Sequence, residues 1–309
     1  MINAFFSAPP HYWNQYCEVI PNACRKIGID LNLSRNLAPE VVDYIIYAPN
    51  ETLTDFTPYS NCKAVLSLWA GVETIATNPI LTQPLCRLVD PGLEQGMVEW
   101  VMGHVLRYHL GIDTYITAQD QEWRQNPAPI ASSRHITVLG LGALGAACAT
   151  ALAGLGFNVT GWSRSAKSIS NVNCLSGQSK LQIALSRADM IVLLLPLTSA
   201  TMNILNAKTL SQTRQGVKII NPGRGALIDD SALLTALDSG WVDHATLDVF
   251  RTEPLPKTDP YWHHPRVTVT PHIASETRPD TAAQRIAENI KRGEFGEEFL
   301  NLVDRKRGY

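Results

Sequence analysis

The chain has 309 residues, is 45% hydrophobic and 17% charged, and carries a formal net charge of -2 at pH 7. That length exceeds one small core and predicts two domains or one large one. Near-neutral charge with no basic block argues against a nucleic-acid or membrane-surface partner.

The N-terminus, "MINAFFSAPP", has no cationic leader, and the greasiest segment, "MIVLLLPL", is too short to span a bilayer, so a cytoplasmic protein is expected. Cys17, Cys24, Cys62, Cys86, Cys148 and Cys174 are scattered, with no C-x-x-C pair and no histidine at ligand spacing. Reduced thiols are therefore expected, with neither a disulfide framework nor a metal centre. From Ile2 onward, "INAFFS", "DLNLS", "DYIIYAP", "AVLSLWAG" and "LCRLVD" alternate with polar or helical spacers, the rhythm of parallel strands joined by crossovers. Gly92 to Ile112 places Met97, Val101, Val105 and Tyr108 at helical spacing without an internal proline, which predicts one long connecting helix. The polar "QEWRQNPAPIASSR" then leads to a second set of β-rich runs: "HITVLG", "NVTGW", "ADMIVLLLP", "VKIINPG", "HATLDVF" and "RVTVTPH". A last helical pattern, "ASETRPDTAAQRIAENIKRGEFG", is expected to return to the first domain.

The second set opens on Gly140-Leu141-Gly142-Ala143-Leu144-Gly145, a G-x-G-x-x-G run between a strand and a small-residue helix. Gly140 permits the tight turn, Gly142 lets backbone approach a pyrophosphate, and Gly145 lets the helix lie close to the sheet. The helix start offers N–H groups and a positive dipole end to phosphates. After the next strand, where an NAD site places an acid on the ribose 2′-hydroxyl, stand Ser163, Arg164 and, a little further on, Lys167. A hydroxyl and two cations suit a 2′-phosphate, so NADP(H) is expected in preference to NAD(H), with NAD(H) possible. Pro196, ending "ADMIVLLLP", is counted with Ala143 and Leu144 among the cofactor-facing residues because ligands collect at the carboxyl ends of such strands.

Three later strand ends carry groups fitted to a carboxylate and a proton. Arg224 stands between glycines in "NPGRGALIDD", Asp248 and Glu253 in "TLDVFRTEPLP", and His272 in "VTVTPHIAS". Hydride transfer to a 2-keto acid leaves negative charge on the carbonyl oxygen, so a cation must polarise it and an acid must protonate it. Arg224 and His272 fit those tasks, and Glu253 is the carboxylate to favour a protonated imidazole.

On the glycine turn, "NPGRGALID", "LDVFRTEPLP", "TPHIA" and the ending "VDRKRGY", the chain resembles the D-isomer-specific 2-hydroxyacid dehydrogenases, most closely the bacterial branch that reduces glyoxylate and hydroxypyruvate. The resemblance implies an α/β protein of two doubly wound parallel-sheet domains: a Rossmann dinucleotide-binding domain inserted into a flavodoxin-like substrate domain. The expected boundaries are 1–100 and 273–309 for the substrate domain and 101–272 for the nucleotide domain. It further implies Arg224 orienting substrate in an interdomain cleft, His272 as acid/base, Glu253 tuning it, and Asp248 near the nicotinamide carboxamide. "LWAGVE" resembles the family loop whose backbone N–H groups, here around Ala70 and Gly71, hold the substrate carboxylate; Glu73 stands where aspartate is usual, and Trp69 where a small residue is common, an indole expected to narrow the pocket. A homodimer is the expected assembly. Two other readings stand beside this one: a dehydrogenase of the same fold for a bulkier D-2-hydroxy acid, formate or phosphite, and a non-catalytic dinucleotide-sensing co-regulator.

Overall fold

The fold is a computed structural model that describes residues 1–118 and 120–305; Gln119 and the final "KRGY" of the "VDRKRGY" ending lie outside the described residues. The chain divides into two compact units, one of Met1–Leu93 with the segment from Glu276 on, the other of Glu94–Ser275.

In the first unit, β1 (Ile2–Ser7), β2 (Leu31–Ser34), β3 (Tyr44–Tyr47), β4 (Ala64–Ser67) and β5 (Leu85–Cys86) pair in parallel in the order β2-β1-β3-β4-β5, the flavodoxin order. Every residue of β3, "YIIY", is buried, because the sheet is covered on both faces. Tyr44 and Ile46 pack into one core with Tyr16 and Ile20 from helices α1 (Pro10–Tyr16) and α2 (Val19–Lys26). Ile45 and Tyr47 pack into the other, with Phe56, Leu81 and Ile75 of α3 (Glu73–Ala76). The C-terminal helix, Pro279–Glu294, starts with proline at its first turn, where a missing N–H costs nothing. Its Ala282, Ala283, Ile286, Ala287 and Ile290 recur at helical spacing and are buried in the core that holds Tyr44.

The second unit carries β6 (His135–Leu139), β7 (Asn158–Ser163), β8 (Val172–Ser176), β9 (Met190–Leu193), β10 (Val217–Asn221), β11 (Val242–Leu247) and β12 (Val267–Val269), all parallel, in the order β12-β11-β10-β9-β6-β7-β8. The order reverses between β6 and β9, the switch point of a doubly wound sheet. One face is covered by α4 (Pro91–Leu110) and α6 (Ala143–Gly154), the other by α7 (Leu181–Ser186) and α8 (Asp230–Asp238). Met97, Val101, Val105 and Tyr108 are all buried along α4.

Two details differ from expectation. The long helix stops at Leu110, because Gly111 takes a left-handed conformation (φ 64°) and a separate short helix, α5 (Ile112–Thr117), follows. The second sheet has seven strands, not six. The additional strand, β8, is the edge strand "VNCLS", with no fully buried residue, so it lacks the apolar run by which its neighbours declare themselves. No helix among the described residues is long and apolar enough to cross a membrane.

Candidate active site

The glycine turn sits at the carboxyl end of β6, at the switch point. Gly140 has φ +105°, which L side chains rarely adopt, and a Cβ there would lie 2.4 Å from the Leu194 carbonyl oxygen. Gly145 packs closer still: its Cβ would lie 1.8 Å from the Gly140 carbonyl oxygen. By contrast, a Cβ on Gly142 would meet nothing within 4 Å, so the turn presents open space to a pyrophosphate. Gly142 is also the N-cap of α6 and supplies no side chain, leaving the first-turn N–H groups to an anion. The chain therefore fits a dinucleotide. Gly145→Ala is expected to cost about 3 kcal/mol of stability by overpacking against backbone and to abolish nucleotide binding, since the Gly140 turn must move; thermal unfolding and fluorescence titration with NADPH would measure the two effects.

Ser163 ends β7 and is buried at 8% exposure, its hydroxyl donating to the Ser165 carbonyl at 2.8 Å. That bond folds the "SRSAK" loop back at the strand end. Arg164 and Lys167 are exposed on the same loop, and the stretch holds no acid. Pro196 follows β9; its carbonyl accepts from the Thr201 hydroxyl at 2.7 Å.

Arg224, Glu253 and His272 follow β10, β11 and β12, adjacent strands of one sheet. Asn221 shapes the Arg224 turn: its Oδ1 accepts from Gly223 N at 3.1 Å and its Nδ2 donates to the Arg224 carbonyl at 3.0 Å. Arg224 Nη1 donates to the Gly223 carbonyl at 2.7 Å. A Cβ on Gly225 would lie 2.1 Å from Phe250 C, so the arginine turn lies directly against the segment carrying Glu253. There the Phe250 N–H donates to Glu253 Oε1 at 2.8 Å, while Glu253 Oε2 lies 2.7 Å from His272 Nδ1. A carboxylate only accepts, so Nδ1 carries the hydrogen and Nε2 is the nitrogen left for substrate. The two side chains are 52% and 34% exposed respectively for His272 and Glu253.

His272 itself has φ 55°, an unfavourable region for a residue with a Cβ. Asp248 imposes it. Its carboxylate, at 0% exposure, accepts from the Thr270 hydroxyl at 2.6 Å and Ile273 N at 2.9 Å through Oδ1, and from Ala274 N at 2.8 Å through Oδ2. The His272 N–H in turn donates to the Asp248 carbonyl at 2.8 Å. Neither Asn221 nor Thr270 was singled out by sequence reasoning; an Asn two residues before a glycine at a strand end is the one local signal for the first.

In the first unit, Trp69, Ala70 and Gly71 follow β4. The Ser67 hydroxyl donates to the Trp69 carbonyl, Trp69 Nε1 donates to the Tyr12 hydroxyl at 3.2 Å, and the Thr277 hydroxyl holds the Leu68 carbonyl at 3.1 Å. Among the described residues, the backbone N–H groups of Ala70 and Gly71 have no protein acceptor.

A glycine turn at the switch point of a doubly wound sheet, with an imidazole held by a carboxylate on the same edge, defines a dinucleotide-dependent dehydrogenase. Its sequence is more specific. Residues 101–274 match the NAD-binding domain of the D-isomer-specific 2-hydroxyacid dehydrogenases, and the chain belongs to that family. It is 42% identical over 259 residues to a glyoxylate/hydroxypyruvate reductase A of Yersinia enterocolitica, covering 80% of this chain and 82% of that one. Among solved structures it is similar to a D-isomer-specific 2-hydroxyacid dehydrogenase of Xanthobacter autotrophicus in complex with NADPH (38% identity, TM-score 0.91, 99% of each chain). It is likewise similar to an NADPH-dependent glyoxylate/hydroxypyruvate reductase of Sinorhizobium meliloti in complex with NADP (31% identity, TM-score 0.86, 100% of each chain).

Proposed function

We propose that the chain reduces a small 2-keto acid, glyoxylate or hydroxypyruvate, to the 2-hydroxy acid with NADPH. When bound, the nucleotide supplies the hydride. Arg224 polarises the keto oxygen and fixes the carboxylate, and His272 Nε2–H delivers the proton to that oxygen while Glu253 holds the ring and balances its charge. Asp248, with three donors already supplied by the chain, has an acceptor site left for about one more from the nicotinamide carboxamide. The observation that carries this reading is the 2.7 Å contact between His272 and Glu253 beside the Arg224 turn, since a nucleotide sensor needs no proton relay.

The test is steady-state consumption of NADPH on adding glyoxylate or hydroxypyruvate, with formate, phosphite and a bulky 2-keto acid as comparisons. Turnover with the small keto acids is expected; tight NADPH binding without turnover of any of them would favour the sensor. Arg164→Ala is expected to weaken NADPH by about 10- to 100-fold, the worth of a charge-assisted hydrogen bond, with little effect on NADH. Equal losses for both nucleotides would remove the 2′-phosphate role.

A cytoplasmic homodimer is part of the same proposal. All six cysteines are free thiols, and burial pushes those of Cys24, Cys62, Cys86 and Cys148 up to about 12, which makes them unreactive. Leu110, Ile112, Tyr115, Ile116, Trp123 and Ile130 cluster in sequence as exposed apolar side chains, Trp123 at 90%, a concentration that fits a second copy of the chain. Light scattering reads the mass directly.

A further inference from the structure

We propose that the amino-terminal edge of the seven-stranded sheet holds a second binding site, for a small dianion of phosphate or dicarboxylate type, centred on Arg134. Strand sequence places it. Arg134 immediately precedes β6, Asp189 precedes β9, and Arg214, Gln215 and Gly216 precede β10, so these residues gather at the end of the sheet opposite the glycine turn. Together with Tyr108 and Lys218 they line a cavity of about 210 Å³, large enough for a small polyanion and too small for a dinucleotide.

The charges in this cavity do not balance. Arg214 Nη1 is matched by Asp189 Oδ1 at 2.8 Å, and Lys218 by Asp243 at 2.7 Å. Asp189 Oδ2 accepts from the His135 N–H at 2.8 Å, and no ion pair joins Asp189 to Arg134 among the described residues. The Arg134 guanidinium therefore has no carboxylate partner among the described residues, and its Nε is buried without any hydrogen-bond acceptor. A charged Nε–H withdrawn from water without an acceptor is costly until one meets it, while the residue as a whole is half-buried and open to a ligand. Its planar fork suits an oxyanion or carboxylate bidentately, and Arg214 and Lys218 line the same cavity as further N–H donors.

Binding at this edge is read by thermal unfolding of the full chain, titrated with inorganic phosphate in one series and succinate in another. Ionic strength is held constant with chloride, and each series is run without nucleotide and again with saturating NADP⁺, which fills the phosphate subsites of the glycine turn. Either probe is expected to raise Tm saturably by about 2 °C or more in both conditions; the series that responds distinguishes oxyanion from dicarboxylate. Arg134→Gln is expected to abolish that shift while leaving Tm in anion-free buffer equal to or above that of the parent, since an unmatched cation has been removed. Arg214→Gln, at a more exposed position, is expected to weaken the response several-fold, and Arg164→Ala to leave it intact. The proposal fails if the parent shows no saturable shift, if Arg134→Gln responds like the parent, or if Arg134→Gln is destabilised without anion, which would mark a structural arginine. It also fails if light scattering shows that Arg134→Gln alone converts a dimer to monomer, since the acceptor would then be a carboxylate of a second copy.

Discussion

Replacing His272 by alanine is expected to lower kcat for keto-acid reduction by about 10²- to 10⁴-fold, the usual worth of a positioned general acid, with NADPH affinity essentially unchanged. The two effects separate because the imidazole lies after β12, whereas the glycine turn lies after β6, at the switch point of the sheet. Alanine at φ 55° carries its own backbone cost, so a loss in that variant alone mixes chemistry with loop distortion. His272→Asn resolves this. Asparagine tolerates the left-handed region but cannot exchange a proton at pH 7, so it should lose nearly as much activity while unfolding at the temperature of the parent. Single-turnover kinetics with preformed NADPH complex would place the defect in the chemical step. A variant that retained kcat and lost only substrate affinity would make His272 a binding group rather than an acid.

Most of this architecture was legible in the sequence because parallel strands covered on both faces read as apolar runs bounded by glycine, proline or polar residues. "YIIY", "AVLS" and "MIVL" are of this type, each buried throughout. β8 escaped because an edge strand covered on one side needs no such run, and "VNCLS" reads as loop. The end of α4 escaped for another reason: Gly111 lies within an apolar periodic pattern, and only its left-handed backbone shows that it stops the helix. At the site, residue types were legible from the chemistry they serve, and the His272–Glu253 pair lies at hydrogen-bond distance. The bonds that hold those residues were not. The sequence offers Ser163 as a hydroxyl for phosphate, and in the structure its proton goes to the Ser165 carbonyl, an i to i+2 bond that depends on how the loop closes after β7. Asp248 is legible as a strand-end acid and its place near the carboxamide only through resemblance, and nothing in "LDVF" signals that its carboxylate gathers the backbone on both sides of His272.

That gathering makes Asp248→Asn the second large effect. The substitution keeps the shape of the side chain and replaces one acceptor oxygen by an amide donor. With its oxygen toward Thr270 and Ile273, the new NH₂ faces the Ala274 N–H; with the amide turned over, it faces Ile273 N–H and the Thr270 hydroxyl instead. Either way, a donor meets a donor at a site with 0% exposure, a mismatch worth about 1–3 kcal/mol. The strain at His272 loses its counterweight, so the imidazole relaxes from its place opposite Glu253; a shift of about 1 Å in a catalytic group is enough to lower kcat by about 10²-fold. Two measurements distinguish this clamp from a purely cofactor-directed role. The nucleotide-free variant should unfold several degrees below the parent, because the broken bonds lie within the chain, and kcat should fall more than the affinity for NADPH. An unchanged melting temperature with weakened NADPH binding as the sole defect would instead confine Asp248 to the carboxamide, and the left-handed backbone of His272 would need another support.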